Sequence, residues 1–128
     1  LAGDKLAVLS HLERAHGNAL QFFGSWSEAI QHYEKAKKIC KETNNHMESE
    51  EIETEISVLH FLKGNLRASL HLSSTAVKSA RMRGDIHSLI QALTSQALVH
   101  LQLCNISKAS SKVDQIRVGL QSLGAGAA

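Results

Sequence analysis

Eight histidines and two cysteines are the side chains of this 128-residue chain that best suit metal binding or nucleophilic attack. The histidines lie at positions 11, 16, 32, 46, 60, 71, 87 and 100. No two of them are four residues apart, the spacing that places two zinc ligands on one helix face, and no HExxH motif is present. We therefore predict no metal site.

Cys40 is the one candidate nucleophile with a suggestive neighbourhood, because Lys37, Lys38 and Lys41 lie close to it in sequence. Nearby positive charge lowers a thiol pKa, but a cysteine at a helix end beside solvated lysines is the simpler interpretation. No glycine-rich phosphate loop is present, since Gly124 and Gly126 lie in the last residues. We predict no catalytic residue, no cofactor and no enzyme activity.

The charge balance argues against nucleic acid or membrane as a partner. Fourteen Lys and Arg against twelve Asp and Glu give a formal charge of +2, which is too small for either surface. No apolar run approaches the length of a membrane span, and no pattern resembles a signal peptide. Cys40 and Cys104 are predicted to be free thiols in a reducing compartment, so we expect an intracellular, cytoplasmic protein.

Apolar residues recur at spacings of three and four, and proline is absent, which favours long uninterrupted helices. Small or polar residues that tolerate a left-handed backbone separate the helices, among them Gly24, Asn44, Gly64 and Gly84. Ser25 with Glu28 predicts a capping box, and Asp85 predicts an N-cap. The six predicted helices span residues 4–23, 26–43, 47–63, 66–83, 86–103 and 106–122.

The same spacing predicts which residues point inward. For the first helix these are Leu9, Leu12, His16, Ala19 or Leu20, and Phe23. For the third they are Ile52, Ile56, Leu59 and Leu62, and for the fifth Leu89, Leu93, Ala97, and His100 or Leu101.

The stretch from Ala15 to Ala36 carries the most specific pattern in the chain. Ala29, Tyr33 and Ala36 share one helical face, where small residues let another helix approach and Tyr33 fills the groove beside them. Stepping by 40 residues recovers the pattern. The corresponding sets are Gly17, Ser57, Ala97; Gly24, Gly64, Cys104; Trp26, Leu66, Ile106; and Ala29, Ser69, Ala109.

This pattern resembles the tetratricopeptide repeat, over roughly residues 10–123, in the longer-helix form of Leu-Gly-Asn-type polarity proteins. The resemblance implies an all-α, right-handed solenoid of three antiparallel helical hairpins, six helices in all. It places a single array at residues 1–123, with repeats at about 4–43, 47–83 and 86–122. Residues 124–128 are then a flexible tail.

In this family the first helix of each repeat lines a concave groove, so the resemblance implies a partner-binding surface there. Its predicted residues are Arg14, Asn18, Phe22, Glu51, Thr54, Glu55, Val58, Phe61, Leu62, Leu98 and Leu101. Exposed apolar groups among them would form a patch for a partner, unless the long helices curl and bury them.

Arg14 and Asn18 also match the start of the clamp by which chaperone-binding members hold a terminal carboxylate. Glu55, Gln91 and Ser95 occupy the remaining clamp positions in this chain. Because Glu55 would repel a carboxylate, we reject a chaperone-tail receptor.

The function predicted from these features is a protein-interaction adaptor that binds a peptide or helix, with basic residues flanking apolar anchors. One alternative is a structural section of a longer helical-repeat protein, packing on further repeats or self-associating through the C-terminal helix. Another is a ligand-sensing segment of a signalling or transcription regulator.

Overall fold

A computed structural model describes the backbone of residues 2–127 and the side chains of residues 3–124. Six α-helices account for most of that range, and none of the described residues forms a strand, so the all-α prediction is confirmed. The helices are α1 (Ala2–Phe22), α2 (Trp26–Glu42), α3 (His46–Leu62), α4 (Leu66–Arg83), α5 (Ile86–Gln102) and α6 (Ile106–Ala127).

The turns between the helices lie where the sequence predicts, because each turn contains one residue with a left-handed backbone. Gly24 has φ 81° and Gly84 has φ 68°, a region that side chains with a Cβ rarely adopt. Asn44 (φ 59°) and Cys104 (φ 60°) adopt it without being glycine, which makes those two turns the more strained ones.

The N-cap predictions have mixed outcomes. Asp85 caps α5 as predicted, accepting hydrogen bonds from the Ser88 N–H at 3.1 Å and the Ser88 hydroxyl at 2.6 Å. The capping box at Ser25 is wrong, since the Ser25 side chain makes no capping bond. Asn45 has a similar backbone conformation and does accept a hydrogen bond from the Glu48 N–H, at 3.3 Å.

The chain divides into two compact units, Leu1–Gly64 and Asn65–Ala128, and the boundary falls at the turn inside the predicted second repeat. In the first unit, α2 packs against both α1 and α3. Its buried residues, Ala29, Tyr33, Ala36 and Cys40, form one stripe. This stripe contains the three residues predicted to share a face.

The small residue at position 17 is explained by the ring of Tyr33. A Cβ added to Gly17 would lie 2.9 Å from Tyr33 Cδ1 and Cε1, closer than carbon atoms pack. Tyr33 itself is fully buried. The glycine therefore allows α1 to approach α2 closely enough to cover the aromatic ring.

The predicted inward face of α1 is wrong. Leu9, Leu12 and Phe23 are 45%, 62% and 79% exposed, whereas Ser10 and Gly17 are buried. Because α1 packs chiefly on α2, only a narrow stripe of it is covered, and the close approach selects small residues there rather than leucines. On α3, Ile52, Ile56 and Leu59 are buried as predicted.

Leu62, at the end of α3, is 43% exposed and not inward as predicted. It is the last residue of the helix, so the turn that follows leaves it less covered than its position in the pattern suggests.

In the second unit, α5 packs against α4 and α6. A small apolar cluster joins Val77, Ala92 and Leu93, and Leu89 and Ile116 pack against it. Ala97 and His100 are also buried, which confirms the predicted inward face of α5.

Helix α6 continues through Ala127, beyond its predicted end at residue 122, since Gly124 weakens a helix without ending it. The predicted tail of residues 124–128 thus falls partly on helix, and Ala128 lies outside the described residues. The single array over residues 1–123 stays a prediction.

Candidate functional site

The predicted groove residues Arg14, Glu51 and Glu55 come together in the first unit. The Arg14 guanidinium donates to both oxygens of Glu55, from Nη2 at 2.6 Å and from Nε at 3.3 Å. Its Nη1 also donates to Glu51 at 3.3 Å and to Glu48 at 3.4 Å. These contacts tie α1 to α3 through a two-pronged ion pair, the strongest geometry available to arginine.

The Arg14 cluster, defined by Arg14, Glu48, Glu51 and Glu55, remains negatively charged. Hydrogen bonding to Glu55 raises the pKa of Arg14 above its ordinary value, so the guanidinium keeps its proton. Three carboxylates and one guanidinium leave a formal charge of −2. Because Arg14 is occupied by its own chain, this geometry disfavours capture of a terminal carboxylate by Arg14.

Sequence analysis assigned Arg14, Glu51 and Glu55 to the predicted groove but did not pair the arginine with the glutamates. The signal was present in the spacing of Glu48, Glu51 and Glu55, which are three and four residues apart and therefore lie on one side of α3. Only the position of α1 shows that they surround an arginine.

The polar groove residues Asn18 and Thr54 are engaged in hydrogen bonds within the first unit. The Tyr33 hydroxyl donates to Asn18 Oδ1 and to Gln21 Oε1, the latter at 3.0 Å. Thr54 donates its hydroxyl proton to the Glu50 carbonyl at 3.2 Å. Burial, followed by the charge of Glu55, raises the pKa of Tyr33 to about 12, so its hydroxyl is a donor at neutral pH.

Most of the apolar residues predicted for the groove in the first unit are exposed. Phe22 is 85% exposed and stacks edge-on against Phe23, with ring centroids 5.6 Å apart. Val58 and Leu62 are also exposed, and Phe61 is half-buried. The alternative in which long helices bury these groups therefore does not describe Phe22, Val58 or Leu62.

The two remaining groove residues belong to the second unit. Leu98 and Leu101 lie on α5 and are 45% and 51% exposed. Both stand on the side of α5 away from Gln96, which is buried against α4.

Two of the histidines, His16 and His32, make contacts within the first unit. His32 Nδ1 lies 2.6 Å from a carboxylate oxygen of Glu13, and the rings of His16 and His32 are 3.9 Å apart. No group of three or more metal-binding side chains occurs among the residues that the structure describes.

Cys40 is buried, and burial raises the pKa of its thiol, opposing the effect suggested by the nearby lysines. Its sulfur lies 3.1 Å from the Ser10 hydroxyl oxygen. The thiol is thus enclosed and largely protonated at neutral pH, which does not suit a nucleophile.

A cleft that sequence reasoning did not identify opens in the second unit. It has a volume of about 360 Å³ and lies among α4, α5 and α6. Leu70 and Ser74 line it from α4, and the buried side chains of Gln96 and His100 line it from α5. The residues that α6 contributes are Lys108, Ser111 and Lys112.

Two buried polar atoms at this cleft lack hydrogen-bond partners among the described residues, namely Gln96 Oε1 and His100 Nδ1. The Gln96 amide is held by its other end, since Nε2 lies 3.0 Å from Ser74 Oγ. Leaving a buried polar atom unsatisfied costs about 1–3 kcal/mol, so such atoms are rare in folded proteins. Burial, reinforced by Lys108 and Lys112, lowers the pKa of His100, so its ring is neutral at pH 7.

No model of a known protein family matches the chain, and no curated protein matches it. Within the part of the chain that the structure describes, no helix combines the length and the apolar character needed to cross a membrane.

Proposed function

We propose that the chain is a protein-interaction module of the tetratricopeptide type, a solenoid that binds a peptide or a helical segment of another protein. The observation that carries the proposal is the exposure of Phe22, Val58 and Leu62 at the positions where the repeat pattern expects a groove. Several large apolar side chains exposed on the same packed helices mark an interaction surface more often than a single exposed apolar side chain does.

The Arg14 cluster defines the charge of this surface. Its formal charge of −2 lies on the same two helices as Phe22, Val58 and Leu62. Glu51 is the most exposed of its carboxylates, with 49% of its side chain accessible, so it is the one best placed to meet a ligand. The surface therefore favours a segment with apolar anchors flanked by lysine or arginine.

Phe22 and Phe61 are expected to contribute most of the binding free energy, because aromatic side chains that become buried in an interface dominate its affinity. Peptides selected from a random display library on the full chain should combine apolar anchors with basic flanks. Calorimetric titration of the best peptide should show that Phe22→Ala and Phe61→Ala each weaken binding by about 2 kcal/mol or more. Glu51→Lys should weaken it less, and mainly at low salt.

Leu9→Ala is the matched control for these variants. Leu9 is also exposed on α1 but projects from the side opposite Asn18, since residues nine apart differ by about 180° around a helix. Glu55 is unsuitable as a charge-reversal site because it holds Arg14. The proposed surface is wrong if both phenylalanine variants bind with wild-type affinity and substitution of Lys37 and Lys41 of α2 abolishes binding.

A second candidate role is supported by α6, whose Val113, Leu120 and Leu123 are 45%, 54% and 37% exposed. Val113 and Leu120 share one face of the helix, which offers a surface for a further helix or a second copy of the chain. Light scattering should then show association that Leu120→Glu with Leu123→Glu abolishes. Val118→Glu, on a different face, should leave it intact. A chain that is monomeric at every concentration would exclude association between copies.

A further inference from the structure

We infer that the cleft of the second unit binds a small organic oxyanion, a phosphate- or carboxylate-bearing molecule that carries an N–H donor near its charged group. The cleft is defined by Ser74, Gln96, His100, Lys108, Ser111 and Lys112, with Leu70 as an apolar wall. Its volume of about 360 Å³ falls at the lower end of the range for small-molecule sites.

The positive charge of the cleft favours an anionic ligand. Lys108 and Lys112 are four residues apart and so project from the same side of α6 into the cleft. None of the lining residues is acidic, and neither ammonium group forms an ion pair with the residues described. Two lysines with neighbouring serine hydroxyls form a favourable environment for a phosphate or carboxylate group.

The buried amide of Gln96 indicates the second feature of the ligand, its N–H donor. Gln96 is 5% exposed, and its Nε2 is engaged with Ser74, so Oε1 is a buried acceptor without a partner among the described residues, in a side chain that lines the cleft. This acceptor requires a hydrogen-bond donor from the ligand. An oxyanion alone provides no such donor. His100, 7% exposed with Nδ1 unpartnered among the described residues, adds one further polar contact beside it.

This site is separate from the proposed protein-binding surface. Gln96 and His100 are four residues apart on one face of α5, whereas Leu98 stands about 200° around the helix from Gln96. Each site can therefore be disabled by substitutions that leave the other intact.

Five probes test the chemistry by calorimetric titration of the full chain. Phosphoethanolamine and β-alanine combine an oxyanion with an ammonium donor, ethyl phosphate and propionate keep only the oxyanion, and ethanolamine keeps only the donor. Saturable one-site binding is expected for phosphoethanolamine or β-alanine, and the tighter of the two identifies the anion type. The analogue without the donor should bind roughly tenfold more weakly, and ethanolamine should not bind.

Substitutions then locate the binding. Lys112→Ala should weaken it by roughly tenfold, as expected for loss of one charge-assisted contact. Gln96→Met, which is similar in volume, removes the acceptor and should weaken binding of the donor-bearing probe roughly tenfold, to the level of its analogue without the donor, while circular dichroism verifies that the variant is folded. The control Lys78→Ala removes an exposed lysine of α4 outside the cleft and should have no effect. Absence of saturable binding by both donor-bearing probes would overturn the inference, as would equal weakening by Lys78→Ala and Lys112→Ala.

Discussion

Replacing Tyr33 with alanine is expected to lower the free energy of unfolding of the first unit by about 3–5 kcal/mol, the usual range for a buried aromatic residue. Tyr33 is fully buried, and its ring lies against Gly17 so closely that no Cβ fits between them. Its removal leaves a cavity between α1 and α2 and deprives Asn18 and Gln21 of a shared donor. Urea titration followed by fluorescence measures the loss, because the single tryptophan, Trp26, begins α2.

Tyr33→Phe separates the ring from the hydroxyl. It keeps the packing against Gly17 and removes only the hydrogen bonds, so we expect a loss of about 1–2 kcal/mol. If Tyr33→Ala destabilised the protein no more than Tyr33→Phe, the ring would not fill the space between the helices, and the described packing would be wrong.

Replacing Arg14 with methionine is expected to destabilise the first unit by about 3 kcal/mol, because it leaves carboxylates close together without their cation. The side chain of Glu48 is only 12% accessible, and that of Glu55 is 30% accessible, so water cannot fully solvate them. The effect should shrink in a urea titration at a pH low enough to protonate the glutamates, because the uncompensated charge then disappears.

Two comparisons make this prediction specific. Glu51→Gln removes the most exposed partner and should change stability by less than about 1 kcal/mol, as for other surface ion pairs. Changing Glu55 to methionine in the Arg14→Met background should restore part of the loss, since the carboxylate left without its cation in this partly buried ion pair is then also removed. An Arg14→Met effect as small as that of Glu51→Gln would mean that the cluster contributes little to stability.

The local features of this chain could be predicted because short-range physics determines them. A left-handed turn needs a residue such as Gly24 or Gly84, and a short carboxylate before a helix caps it, as Asp85 does. The stripe of Ala29, Tyr33 and Ala36 was equally predictable, because small residues at helical spacing around one large residue indicate a close helix contact.

The buried face of α1 was not predictable from periodicity. The leucines at helical spacing, Leu9 and Leu12, lie on a face of α1 that stays largely exposed. Ser10 and Gly17 lie on the face that is covered. Which side of a helix is covered depends on where the next helix lies, and a hydrophobic pattern identifies that side only when a single face is apolar.

Sequence alone therefore determined six helices, the turns between them and the α2 stripe, because these depend on backbone conformation and on spacing within one helix. Tertiary structure decided that Arg14 is held by three glutamates and that Gln96 and His100 face two lysines across a cleft. Those groups lie on different helices, some of them more than 30 residues apart, as Arg14 and Glu48 are. No pattern within one helix encodes such distances, since they arise only when packing brings separate helices together.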